Sequence, residues 1–375
     1  MRRPSPTAAG FRVLLALALG VTSPSQAPAR QPVTEFPIPT ADSLPAGITA
    51  GPDGAVWFAE FAGNRIARIT PEGGMTEFPI PTPDSGPTLP GQGPDGAIWF
   101  TEFNANQIGR ITPDGRITEF SIPSPDSGPY AIVTGRDGNL WFTEAEGNRI
   151  ARITTGGAVT EFPVPTPDSD PYILAAGPDG NLWFTEAEGN KIGRITTEGR
   201  IKEFAIPTPD SFPIGIAGGA DGNLWFTEFG GDSPGNRIGR ITPDGTITEF
   251  PIPTDSSRPR GIAAGPDGAV WFTELDGNRI GRITPGGEIR EIEVPTPESA
   301  PLRITAGADG GVWFTELAGN RIGRIETRSP RETPFRQGRS SRRRSEENAN
   351  KLAPWCCLPP KYDRPGTCQS LRHPA

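Results

Sequence analysis

Histidine is almost missing from this chain: its 375 residues include one, His373. Catalysis by paired imidazoles and His-based zinc sites needs more than that. Cysteine is also scarce, with Cys356, Cys357 and Cys368 all lying after residue 355. One disulfide could form there after export, most simply to Cys368, leaving one thiol, and the spacing does not suit zinc. Long hydrophobic runs are lacking too. The single candidate, residues 13–21, is too short to span a bilayer as a mature helix. It follows Arg2, Arg3 and Arg12 and precedes Ala27-Pro28-Ala29, the pattern of a secretory signal over residues 1–30. A secreted or periplasmic protein without a membrane span is expected, an uncleaved anchor being the alternative.

Glycine and proline are what the chain has in excess, 48 and 45 residues, about a quarter of the whole. Without a period, such a share marks low-complexity or disordered sequence. Here there is a period. The pair Trp-Phe begins at 57, 99, 141, 183, 225, 271 and 313, spaced by 42 residues except for one gap of 46. The long gap is a four-residue insertion near Gly230-Gly231-Asp232-Ser233. Each unit repeats the same order of parts, as in the first: a short apolar stretch, a turn at Pro52-Asp53-Gly54, the Trp-Phe run, a Gly-Asn loop, the run Arg65-Ile66-Ala67-Arg68-Ile69-Thr70, a second turn, and Thr76-Glu77-Phe78 before a Pro-rich linker.

Four short stretches rich in Val, Ile, Phe, Trp and Thr, split by turn residues, read as four β-strands. Four strands in a unit of this length define one blade of a β-propeller. The second strand is apolar on both faces, as a blade sandwiched between two neighbours requires. The fold class is therefore all-β, a seven-bladed β-propeller over residues 31–326. The outer-strand motif also occurs around Phe36, before the first Trp-Phe unit, while the last unit lacks a convincing fourth strand. Residues 33–38 are expected to complete blade seven and so remove the exposed edges. The sequence Thr88-Leu89-Pro90-Gly91 is expected to break the inner strand of blade two, because Pro lacks an N–H.

The repeated unit, for example GPDGAVWFTE at residues 265–274 and GNRIGRIT at 277–284, resembles the streptogramin B (virginiamycin B) lyase family, and more distantly propellers of the lactonase and NHL type. The likeness covers about residues 33–326. It implies a lyase that opens a cyclic depsipeptide antibiotic at its ester by elimination across a C–O bond, using Mg²⁺, His side chains and Glu. The family's His residues follow the Pro that opens the inner strands of blades six and seven. This chain has Arg260 and Leu302 at those positions, and Ala300 where the lyase has Glu before the blade-seven Pro. Glu316 is a candidate for the metal-linked Glu, although it belongs to the repeated Trp-Phe-Thr-Glu pattern and Leu317 could be the match. A general base that works near neutral pH is missing from the matching positions. Two readings stay open: a binding module that has lost the catalytic set, or an active lyase or hydrolase using a metal with Tyr130, Tyr172 or an acidic side chain.

Positions that differ between copies are where function is expected. The residue after the inner-strand Pro reads Ala46, Thr88, Tyr130, Tyr172, Ile214, Arg260 and Leu302. Tyr130 and Tyr172 fall on blades three and four; Arg258, Arg260 and Arg303 fall on blades six and seven. Aromatic faces opposite guanidinium groups could hold a small molecule or peptide at the mouth. Ordinary variation at a surface is the competing reading. By contrast, the seven Glu that close the second strands, Glu60 to Glu316, repeat in every blade. They either serve the blade or form a carboxylate ring for Mg²⁺ or Ca²⁺. Arg68 and its six counterparts recur with the outer-strand Glu, and whether they pair depends on register.

Charge divides the chain. Residues 1–30 carry +4 and residues 327–375 carry +7, so the net −8 leaves −19 on residues 31–326. So acidic a propeller repels nucleic acid and favours cationic or basic ligands. The tail, residues 327–375, is basic, has no repeat, and is expected to be disordered; it could contact an anionic surface.

Overall fold

The computed structural model describes residues 33–230 and 236–327. The signal pattern, most of the insertion, the basic tail and its cysteines lie outside the described residues. Within them are twenty-eight strands, grouped in seven four-stranded antiparallel sheets. Blade one, for example, runs Pro45–Ala50, Val56–Glu60, Arg65–Ile69 and Met75–Pro79 from the axis outward. Each inner strand neighbours the next, and that of blade seven neighbours that of blade one, so the ring closes. Among the described residues no helix is long and apolar enough to cross a membrane.

The expected closure is present. Val33–Pro37 pairs antiparallel with Arg321–Glu326, from Val33↔Ile325 to Pro37↔Arg321, as the fourth strand of blade seven. Phe36 stacks on Trp313 at 5.7 Å, the contact that Phe78 makes with Trp57 inside blade one.

The second strands form the core because alternate side chains face alternate neighbours. In blade one, Trp57 and Ala59 pack with Ile98 and Phe100 of blade two, while Phe58 packs with Trp313 of blade seven. All five residues of Val56–Glu60 are buried. Each such apolar side chain contributes about 1.5–3 kcal/mol by leaving water, so the blade interfaces dominate stability.

Polar groups repeat as faithfully. The Asp of the turn before each second strand reaches back to its blade's Trp: Asp53 Oδ1 accepts from Trp57 Nε1 at 3.1 Å. Its other oxygen pairs with Arg68 Nη1 at 3.0 Å, and that guanidinium lies 5.9 Å from the Trp57 ring centre. The Arg series therefore does not pair with the outer-strand Glu. Arg68 stands opposite Thr76 while Glu77 stands opposite Ala67, so the two charges leave opposite faces of the sheet.

The Gly-Asn loop clasps the next blade. Asn64 sits at φ 52°, a left-handed conformation that Asn tolerates better than most residues. Its Oδ1 accepts both the N–H and the hydroxyl of Ser85 at 2.9 Å. Asn320 makes the same clasp on Ser43, at 3.0 and 2.9 Å, across the junction of the two ends of the ring.

One expectation is corrected. Pro87–Gln92 is an unbroken strand, with Pro90 opposite Phe100. An inner strand pairs on one side only, and an edge strand accommodates a residue that cannot donate.

Candidate functional site at the mouth of the ring

The mouth is built by the residues around the Pro that opens each inner strand. The residue before that Pro takes a left-handed conformation, at φ 50° in Arg258, 53° in Asp170 and 53° in Ala300. Its carbonyl accepts from the residue after the second-strand Glu, as Leu275 N–H does to Arg258 O at 3.1 Å. Non-Gly residues are costly in this conformation. The tight turn nevertheless brings its own side chain and the one after the Pro toward the axis.

Four of the five residues singled out from sequence meet across the axis. Tyr130 and Tyr172 stack, with ring centres 4.1 Å apart and planes 28° apart. Arg260 Nη2 donates to the Tyr172 hydroxyl at 3.0 Å, and Arg303 Nη2 to the Tyr130 hydroxyl at 3.4 Å. The guanidinium carbon of Arg303 lies 5.8 Å from both tyrosine ring centres. Arg258, the fifth, stands apart from the tyrosines. It pairs with Asp276 at 3.4 Å and, with Arg260, lies over Phe229. The aromatic and cationic halves of the mouth thus touch each other and do not face across an open cleft.

Burial sets the electrostatics. Tyr172, Arg260 and Arg303 are 1%, 3% and 4% exposed. Desolvation, reinforced by Tyr130, pushes the Tyr172 phenol well above its usual value despite the opposing pull of Arg260 and Arg303. Tyr172 therefore keeps its proton and is a donor, not a base, at neutral pH. Burial also raises Asp276, against Arg258 and Arg260. Below the tyrosines the axis holds a cavity of about 60 Å³. Aliphatic side chains and two inner-strand glycines line it, with Arg303 as the one charged residue.

Glu316 does not reach this mouth as a metal ligand. Like its six counterparts it is fully buried, beneath its own Gly-Asn loop. It faces Glu35 of the closing strand, and burial first, then that carboxylate, pushes it up to about 8. The seven Glu therefore point into their own blades and form no ring about the axis. Among the described residues no group of three or more His, Cys, Asp or Glu is placed to hold a metal. Two guanidinium groups and two phenols, with Asp170 and the Arg258-paired Asp276 as the carboxylates, are also a poor donor set for Mg²⁺, which prefers several carboxylate or other oxygen ligands without adjacent cations. The residues at the mouth do not fit the ion.

Sequence reasoning missed Asp170, which is 3% exposed in the turn before Tyr172. The signal was available: the residue before the Pro varies between copies as much as the one after it.

These features define a seven-bladed propeller whose variable residues converge on one end of its axis. The model of the virginiamycin B lyase family matches residues 31–236 and 232–333, and the chain belongs to that family. A streptogramin B lyase structure is 43% identical, with 78% of this chain and 97% of that one covered, at a TM-score of 0.75. Virginiamycin B lyase from Staphylococcus aureus is 44% identical over 79% of this chain and 99% of its own, again at 0.75. A catalytically inactive His-to-Ala variant of that enzyme, crystallised with quinupristin, is 42% identical over 79% and 99%, also at 0.75. No curated protein sequence matches the chain.

Proposed function

We propose that this is an exported member of the family that binds a ligand at the mouth of the ring and has lost the family's histidine-dependent elimination. The observation that carries the reading is the replacement at the mouth. Arg260 and Leu302 stand where the family resemblance places His, and residues 33–327 contain no His at all. A related enzyme is described as inactive after a single His-to-Ala change. Arg260 is not a substitute base, because a guanidinium stays protonated. Tyr172 holds its proton for the reason given above, which disfavours the alternative of a tyrosine-driven lyase or hydrolase. Export rests on the signal pattern of residues 1–30, and the basic residues after 327 supply a means of holding to an anionic surface.

The test is incubation of the purified protein with a cyclic depsipeptide such as quinupristin, with and without Mg²⁺. Elimination leaves the mass unchanged, so chromatographic retention is followed as well; hydrolysis adds the mass of water. Unchanged retention with a saturable binding signal is the expected result. Metal-dependent ring opening would overturn the proposal.

A further inference from the structure

We propose that Arg303 anchors a carboxylate, inserted from the mouth into the axial cavity, so that the ligand is a small monoanionic organic acid or bears such a group. This rests on the mouth-binding reading above and narrows its ligand. Arg303 is 4% exposed, yet its Nε has no hydrogen-bond partner and none of the described carboxylates forms an ion pair with it. Its guanidinium makes one long hydrogen bond, 3.4 Å to the Tyr130 hydroxyl, and otherwise lies against two tyrosine rings. By comparison, Arg258 pairs with Asp276, and Arg68 and Arg282 pair with turn aspartates at 3.0 and 2.6 Å. A buried cation without a counter-ion is costly, and an anion that enters beside it removes the cost.

The surroundings choose among anions. One positive charge with a planar fork matches a monoanionic carboxylate in two-point contact. The Tyr130 hydroxyl accepts from Arg303 and also touches the Tyr172 hydroxyl, so its O–H reaches the ligand by turning away from Tyr172. Aliphatic side chains and inner-strand backbone line the rest of the cavity, whose volume is about 60 Å³. That is the space of about two waters, enough for a carboxylate head on a short apolar stem. A phosphate dianion would need a second cation in direct reach. The main-chain N–H groups of Ile173, Gly215, Gly261 and Arg303 are already given to Thr185, Thr227, Thr273 and Thr315.

The experiment uses the full chain and sodium acetate as probe. Sodium chloride at equal ionic strength is the control, and sodium phosphate is a third arm. Thermal protection and the near-ultraviolet difference spectrum of tyrosine are read together, the spectrum reporting the Tyr130–Tyr172 stack. Acetate is expected to give saturable protection and a tyrosine difference signal. Both should weaken at least tenfold in apparent affinity in Arg303→Met, which fills the space without the charge. Tyr130→Phe, which keeps the ring stack, should weaken acetate as well and guards against a variant that fails to fold. Equal responses of wild type and Arg303→Met to acetate would overturn the inference, as would phosphate protection as strong as acetate's. If quinupristin perturbs the tyrosines and acetate does not, the anion inference falls while mouth binding stands. If neither perturbs them, both fall.

Discussion

Each blade sets a buried glutamate beside a half-buried one, and blade four allows the most direct test of the pair. Glu186 ends the second strand and Glu203 lies on the outer strand of the same sheet face. Burial first, then the Glu203 charge, pushes Glu186 from 4.5 up to about 8. Glu203 is also disfavoured by burial, but bonds from Lys191 at 3.0 Å and from Thr166 N–H and hydroxyl, both at 2.9 Å, outweigh it and hold it below its usual value. The pair therefore carries one proton at neutral pH, on Glu186. As a carboxylate, Glu186 has only the Ser169 hydroxyl beside it as a donor, and that hydroxyl is already given to Asn148 Oδ1 at 2.9 Å. As an acid it has an O–H for Glu203 to accept.

The sign follows from the direction of the shift. A group whose folded value is raised stabilises fully below 4.5, and that stability is lost as pH rises to about 8. Glu186→Gln cannot ionise and lacks this slope. Its stability minus that of wild type should climb by up to about 1.4 kcal/mol per pH unit within that window and level off above it. Across the whole window the gain is at most about 5 kcal/mol. Glu203→Gln should behave oppositely. It should be less stable than wild type above 4.5, with the deficit closing as pH falls, since a depressed carboxyl stabilises only when ionised. Urea unfolding from pH 5 to pH 9, with the two single variants and the double variant as a cycle, measures the slopes and the coupling. Parallel profiles for wild type and Glu186→Gln would refute the shared-proton account.

Three further outcomes follow from the packing. Deleting residues 33–38 removes the fourth strand of blade seven and the bond from Ile38 N–H to Asn320 O at 3.1 Å; the ring should lose cooperative melting in calorimetry, and an unchanged transition would reject the closure. Phe36→Ala removes the stack on Trp313 and should cost about 2–3 kcal/mol in urea titration, below the range for a fully buried Phe because Phe36 is half-buried. Asp179→Ala leaves Trp183 Nε1 without its acceptor at 3.0 Å and Arg194 without its ion pair; a loss of about 1–3 kcal/mol with a shifted tryptophan emission is expected, whereas an unchanged emission maximum would mean that the indole keeps its environment.

What could be read from sequence follows from the distance over which each interaction acts. Strands, turns and blade count are local, and a spacing of 42 residues displays them. Ring closure was also legible, because an unpaired outer-strand motif at one end and a missing one at the other leave a single arrangement without open edges. The glutamate pairs were half visible. Both series repeat in every unit, but only the register places Glu186 and Glu203 on one face and sends Arg194 to the other. At the mouth, variation between copies pointed to Tyr130, Tyr172, Arg260 and Arg303 one at a time. Their contacts span 88 and 173 residues and exist only because seven blades bring the third and fourth opposite the sixth and seventh. Repetition therefore reveals the scaffold, and departures from it mark the candidate site. The chemistry of the site, above all the burial of Arg303 without a counter-ion, arises from closing the ring.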